Sequence, residues 1–230
     1  MFSGKPVVSR RCSVICSVIV SQLTASFRIK PINSSIACRP VWPVDRKAAR
    51  AAILQWRRTM ASAERARRSD RIGQLITPWL IRSKADLSVR TQHPVVGLFW
   101  PIRGEPDLTG FYQQWIALGW TLALPQTPSQ PGPLAFLRYE PGAPMLTDSY
   151  GIATPAQAAV MTPDRIIAPC VGYGSGGYRL GYGGGYYDRT LTGVAGMAIG
   201  VAYQETLVDS FEAQTHDQPL DAIATDNGWY

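Results

Sequence analysis

Val95-Val-Gly-Leu-Phe-Trp100 is apolar at every position, and a run of that kind, with no polar alternation, needs cover on both faces, as a strand inside a parallel or mixed sheet has. Arg165-Ile-Ile-Ala-Pro169 and Met197 to Tyr203 read the same way. Between these runs the period changes. Ala49, Ile53, Trp56 and Met60 recur at helical spacing from Val44 onward, and Ile72, Leu75, Ile76 and Trp79 do so in a second helix that Ser62-Ala-Glu64 starts and that runs toward Ile81. Phe111 to Leu118 predicts a further helix, and Trp120 to Leu124 and Leu134 to Tyr139 predict strands. Alternation of this kind predicts an α/β domain in three layers, with a largely parallel or mixed central sheet flanked by helices. Ligands of such sheets collect where strands end, here at Trp100–Asp107 and Gly172–Asp188.

Charge divides the chain unevenly. The net charge over 230 residues is +7. Residues 1–40 carry Lys5, Arg10, Arg11, Arg28, Lys30 and Arg39 with no acid, so the remaining residues are close to neutral. A nucleic-acid partner therefore has little support. Cys12 to Leu23 is apolar but too short to span a bilayer, and Pro31 to Pro43 reads as a linker. The expectation is an extension over residues 1–43, outside a single domain over 44–230, with a signal or transit peptide and a misplaced start as the competing readings. No membrane partner is expected.

Four cysteines without a CxxC pair suit a reduced cytoplasm, with Cys170 as a small buried hydrophobe. Only His93 and His216 are present, so a zinc cluster or a Ser-His-Asp triad is hard to assemble. A hard cation held by carboxylates and phosphates is not excluded. On the first helix Arg46, Arg50 and Arg57 fall within about 40° of one another at about 100° per residue. They can line a cleft, or form a solvated face whose stems cover the core. Trp56, Trp79, Trp115 and Trp120 read as packing aromatics.

Arg179-Leu-Gly-Tyr-Gly-Gly-Gly-Tyr-Tyr-Asp-Arg189 holds the densest glycines of the chain. Glycines at that density let backbone N–H groups wrap an anion, and the helix starting at Tyr186 would add its dipole. The run is not a P-loop, since no lysine and hydroxyl follow at the required spacing. Gly172-Tyr-Gly-Ser-Gly-Gly177 satisfies GxGxxG, but more loop follows it instead of a helix. An arginine and an aspartate beside such a loop suit a phosphate and Mg²⁺.

Residues 179–189 resemble the signature of the 5-formyltetrahydrofolate cyclo-ligase family. The basic first helix with Arg46-x-x-x-Arg50, the Phe99-Trp-Pro-Ile-Arg-Gly-Glu105 turn and His216-Asp-Gln-Pro-Leu-Asp221 agree with it in order, so the resemblance spans roughly 45–226. It implies ATP-dependent cyclisation of 5-formyltetrahydrofolate to 5,10-methenyltetrahydrofolate with release of ADP and phosphate, by a monomer with small-molecule substrates only. By position it places ATP on Arg46, Lys47 and Arg50 and on Arg179, Leu180, Gly181, Tyr182, Gly183, Gly184, Gly185, Tyr186 and Tyr187. It places the folate on Trp100, Glu105 and the stretch Tyr182–Tyr186, and Mg²⁺ on Asp188 and Asp221. Arg179 and Tyr186 are its catalytic candidates. Many members carry lysine where this chain has Gly184, and Arg189 or a first-helix arginine could compensate for it. The alternative is a non-catalytic nucleotide- or folate-binding module on the same fold.

Overall fold

A computed structural model describes residues 40–230 apart from 157, 195 and 210. Helix α1 (Arg46–Thr59) begins where the Asp45 carboxylate accepts the Ala48 N–H at 2.7 Å, satisfying one of the N–H groups that a helix start leaves open. It buries Ala49, Ile53 and Arg57, one residue per four. Trp56, expected in that stripe, flanks it half-buried, edge-on to Trp42 and Tyr203 at 6.2 and 5.9 Å. Trp42 also donates its indole N–H to the Glu205 carbonyl at 2.6 Å. This residue of the expected extension is therefore docked on the domain, while residues 1–39 lie outside the described part of the chain.

Helix α2 (Ser62–Leu87) is longer than its apolar stripe predicts and continues through Pro78. Thr77, one residue earlier, donates its hydroxyl to the Gly73 carbonyl and receives the Trp115 indole N–H at 3.0 Å. Trp79, Trp115 and Trp120 are all buried, as packing aromatics should be. Trp115 belongs to the short helix α3 (Tyr112–Ala117).

The sheet has eight strands. In chain order they are β1 (Val95–Gly97), β2 (Thr121–Gln126), β3 (Ala135–Tyr139), β6 (Val160–Met161), β7 (Arg165–Pro169), β10 (Met197–Ala202), β11 (Ala222–Thr225) and β12 (Gly228–Trp229). In space they run β12-β11-β10-β7-β1-β2-β3-β6. The five from β11 to β2 are mutually parallel, and the pairs β2–β3, β3–β6 and β11–β12 are antiparallel. The sheet is thus mixed with a parallel centre, and helices flank it. β1 pairs over only half of its apolar run, yet Leu98 and Phe99 beyond it stay buried.

Two further ribbons stand off the sheet: β4 (Met145–Thr147) with β5 (Ala153–Pro155), and β8 (Gly172–Tyr173) with β9 (Arg179–Leu180). The strand order positions the site. From β1 the chain continues to β2 on one side, and from β7 to β10 on the other, so β1 and β7 form a topological switch point. A crevice opens outside the carboxyl ends of such a pair. The loops that leave those ends are Leu98–Glu105 and the β8–β9 ribbon with the glycine run behind it.

Two glycines separate backbone strain from close approach. A Cβ on Gly142 (φ 88°) would touch none of the described residues within 4 Å, whereas one on Gly177 (φ 78°) would lie 2.2 Å from the Leu220 carbonyl oxygen. Gly142→Ala should lose about 1 kcal/mol through φ alone. Gly177→Ala should lose about 2–4 kcal/mol, because Leu220 must also move. Chemical denaturation of the two variants measures this, and equal losses would show that the segment around Leu220 yields freely.

Candidate functional site

A cleft of about 960 Å³ lies at the switch point. One end of it is cationic. Helix α1 points Arg46, Lys47 and Arg50 into the cleft from its first turns, and β9 contributes Arg179. Arg46 grips Asp217 with two donors, at 2.7 and 3.1 Å. Burial alone would raise the Asp217 carboxyl, but the Arg46 guanidinium and the Gln214 N–H outweigh it and hold the group below the usual aspartate value. Burial, and then the charge of Arg46, pull Arg50 below its usual value. Arg50 Nε donates to the Gly181 carbonyl at 2.7 Å, which ties α1 to the glycine loop.

The loop itself runs Gly181-Tyr-Gly-Gly-Gly185 along the cleft. Gly183 (φ 98°) and Gly185 (φ 64°) occupy the left-handed region, where a side chain would be strained. Helix α4 (Tyr186–Thr192) follows. At seven residues it is too short to offer the anion-binding dipole the sequence suggested, which leaves the loop N–H groups and the arginines as the groups that could meet an anion. Asp188 forms an ion pair with Arg179 at 2.9 Å and accepts the Gln218 N–H at 3.3 Å. The Arg179 guanidinium also lies over the Tyr187 ring at 5.3 Å, and its buried Nε has no hydrogen-bond partner among the described residues.

The other end of the cleft is aromatic. Trp100 lines it edge-on to Tyr139 at 6.1 Å. Glu105 is 2% exposed; its carboxylate accepts the Ile102 N–H at 3.0 Å and the Tyr182 hydroxyl at 2.8 Å. Burial pushes the Glu105 carboxyl above the usual glutamate value, against the Ile102 N–H, the Arg57 charge and the Tyr182 hydroxyl, which pull it back. Burial and the facing Glu105 likewise raise the Tyr182 phenol. Tyr186 lies at the rim with its hydroxyl against that of Tyr150, at the tip of the β4–β5 ribbon, and that contact raises its phenol.

The structure thus brings Arg46, Lys47, Arg50, Trp100, Glu105, Arg179 and every residue from Gly181 to Asp188 to one cleft. Four of the candidate residues do not line it. Leu180 alternates away from Arg179 along β9 and is buried against Ala49, Ile53 and Val171. Asp221 leads the parallel strand β11, which puts it at the amino edge of the sheet; it is exposed, accepts the Ala198 N–H at 2.7 Å and does not line the cleft. Arg57 faces the core instead of the cleft, fully buried, with Nη2 bonded to the carbonyls of Cys170 and Val171. Arg189 turns outward, over Tyr186 and onto the Gly184 carbonyl at 2.6 Å. The residue overlooked is Asp217, which stands in the block that ends at Asp221 but has no role assigned to it from sequence. Cys170 is buried and its thiol is pushed up to about 11 by burial, so it is inert at neutral pH.

The family model for 5-formyltetrahydrofolate cyclo-ligases matches residues 43–226, the span that builds this cleft. The chain belongs to the 5-formyltetrahydrofolate cyclo-ligase family. It is similar to the 5-formyltetrahydrofolate cyclo-ligase of Mycolicibacterium smegmatis, 28% identical over 80% of this chain and 94% of that one. The Escherichia coli K12 cyclo-ligase is 32% identical over 56% and 76%. Among solved structures, the 5,10-methenyltetrahydrofolate synthetase of Aquifex aeolicus superposes with a TM-score of 0.66 at 27% identity, covering 80% of this chain and 91% of that one. That of Mycoplasma pneumoniae superposes at 0.61 with 26% identity, covering 79% and 99%.

In this cyclo-ligase family member no three His, Cys, Asp or Glu side chains gather among the described residues. Mg²⁺ does not need them, because it is held by one or two carboxylates together with phosphate oxygens and water. Asp188 fits that requirement, and the partnerless Nε of Arg179 beside it fits a phosphate.

Glu105 generates a pH prediction. A carboxyl with a raised folded value contributes stability that is present below its unfolded value and is lost as pH rises through the folded one. Glu105→Gln keeps the side chain's shape without the charge. The stability of this variant relative to wild type should therefore rise as pH goes from below 4.5, the ordinary glutamate value, to neutrality. Parallel melting curves of both proteins across that range check it, and a difference that stays constant with pH would contradict it.

Proposed function

We propose that the cleft converts 5-formyltetrahydrofolate to 5,10-methenyltetrahydrofolate at the expense of ATP, with Mg²⁺, releasing ADP and phosphate. The observation that carries this reading is the division of one cleft into a cationic end and an aromatic end with a buried carboxyl. ATP phosphates suit Arg46, Lys47, Arg50, Arg179 and the N–H groups of Gly181–Gly185. A pterin suits Trp100, Tyr182 and Glu105, because its ring edge presents several N–H donors to one carboxylate.

The chemistry follows from the substrate. A formyl oxygen bound to an amide-like carbon is a poor leaving group. Transfer of the γ-phosphoryl breaks its bond to the β–γ bridging oxygen, whose electron pair stays with ADP, and a lone pair of the formyl oxygen makes the new P–O bond. The N10 lone pair then attacks the formyl carbon, N10 loses its proton to water, and the carbon–oxygen bond breaks with phosphate as the leaving group. No nucleophilic side chain is required. The residues position two ligands in line and neutralise the phosphoryl charge.

Arg179 and Asp188 hold one another until the nucleotide arrives. Asp188 would hold Mg²⁺, which supplies charge neutralisation at the phosphates when bound, and Arg179 is then released to bond phosphate oxygens. Tyr186 orders the loop at the rim through Tyr150. The reading includes a monomeric enzyme in a reducing, cytoplasmic setting, with which the free thiol of Cys170 is compatible.

The test is to mix the protein with ATP, Mg²⁺ and 5-formyltetrahydrofolate and follow the methenyl absorbance together with ADP. Equal amounts of both, lost when ATP or Mg²⁺ is omitted, are expected. Nucleotide binding without the chromophore would favour the non-catalytic module. Asp188→Asn should cut turnover ~100-fold and lower the melting temperature by only about 2–4 °C, since its amide oxygen can still accept the Gln218 N–H. Near-normal turnover would remove Asp188 from the metal.

A further inference from the structure

Ile102-Arg-Gly-Glu105 is a four-residue turn closed by the Glu105 N–H to the Ile102 carbonyl at 2.9 Å. Both central residues have positive φ, 49° at Arg103 and 74° at Gly104. Arg103 is the one non-glycine residue with positive φ among the described residues. Turns of this kind accept Gly, Asn or Asp at that position, and a long side chain there is strained. Strain of this sort persists where function requires it.

A second observation says what Arg103 is for. Among the described residues four arginines line the cleft. Three are committed: Arg46 to Asp217, Arg50 to the Gly181 carbonyl, and Arg179 to Asp188. Arg103 has neither a carboxylate nor a carbonyl partner among the described residues; its guanidinium lies over the Tyr182 ring at 5.3 Å. The hydroxyl of the same ring ends on Glu105. An exposed cation is therefore held one aromatic ring away from the buried carboxyl, between the aromatic wall and the glycine loop.

We propose that Arg103 is a catalytic residue that stabilises the phosphoryl group as it passes from ATP to the formyl oxygen. The proposal rests on the cyclisation reading above. If Glu105 holds the edge of the pterin, the formyl group on the same bicycle falls about one ring's length away, where Arg103 is. The glutamate carboxylates of the folate lie beyond its aminobenzoyl group, too far from that edge for this side chain. Arg103 transfers no proton and makes no covalent bond. It donates N–H bonds and charge to the phosphoryl oxygens while the bond to ADP breaks and the bond to the formyl oxygen forms.

The experiment compares wild type, Arg103→Gly and Arg103→Lys in the full chain, with kcat, both KM values and the melting temperature without ligand. Arg103→Gly should melt about 2–4 °C higher, because glycine accepts the turn without strain. Its kcat should fall ~100-fold, with both KM values within about twofold of wild type, as for an interaction made only in the transition state. Arg103→Lys should recover part of the kcat. An unchanged kcat in Arg103→Gly overturns the proposal. So does a rise in KM alone, for the folate if Arg103 binds its carboxylates, or for ATP if it binds ground-state phosphates. Wild type that forms no methenyl product overturns the cyclisation reading together with this one, and is recognised because the failure precedes any substitution.

Discussion

A guanidinium buried to zero exposure holds the cleft together. Arg57 leaves the last turn of α1 and bonds the carbonyls of Cys170 and Val171, where the chain comes off β7 toward the glycine ribbon, with the Tyr203 ring beneath it at 5.8 Å. Burying such a charge costs several kcal/mol unless partners offset it, and two of its nitrogens have none among the described residues. What it secures is position. With Arg57 tied to the end of the central strand, the opposite end of α1 carries Arg46 and Arg50 to the cleft at a fixed height, and Arg50 closes the frame on Gly181. The Arg57 charge also reaches Glu105 and offsets part of the burial that raises its carboxyl.

The second joint is the bond from Tyr182 to Glu105. It links two loops that come from different strands, β1 and β7, and crosses the switch point between them. The aromatic wall and the glycine loop are therefore joined directly to one another. The cationic wall joins them through Arg50 and through the pair Arg46–Asp217, which brings in the segment before β11. Each wall is thus held by a polar contact between side chains or loops distant in sequence, which is how a cleft made mainly of loops keeps a defined shape.

Much of this was legible from residues alone. β1 and β10 are continuous apolar runs, and β7 is one after Arg165, the mark that covered strands leave, while β2 and β3 keep shorter runs at Leu122–Pro125 and Ala135–Leu137. The ribbons β4–β5 and β8–β9 and the strands β6 and β12 have two or three residues each, too few for any period to show. Helical angle put Arg57 on the same arc as Arg46 and Arg50, but eleven residues at 1.5 Å each carry it about 16 Å along the axis, out of the cleft and into the core. Position in a motif did not separate Asp217 from Asp221. That distinction comes from the sheet: a residue that directly leads a parallel strand sits at the amino edge, away from the ligand crevice, while Asp217, four residues earlier, still passes beside α1. The left-handed backbone of Arg103 left no sequence signal beyond the glycine that follows it.

In the proposed reaction the formyl oxygen leaves as part of phosphate, in a cleft that supplies position and charge but no nucleophile. The most direct measurement is to label the formyl oxygen of 5-formyltetrahydrofolate with a heavy isotope, run the reaction with ATP and Mg²⁺ to completion, and weigh the inorganic phosphate by mass spectrometry. The label should appear in phosphate, one atom for each methenyl product formed. Label found in water, with unlabelled phosphate, would mean that ATP hydrolysis and ring closure are separate events and would contradict the account.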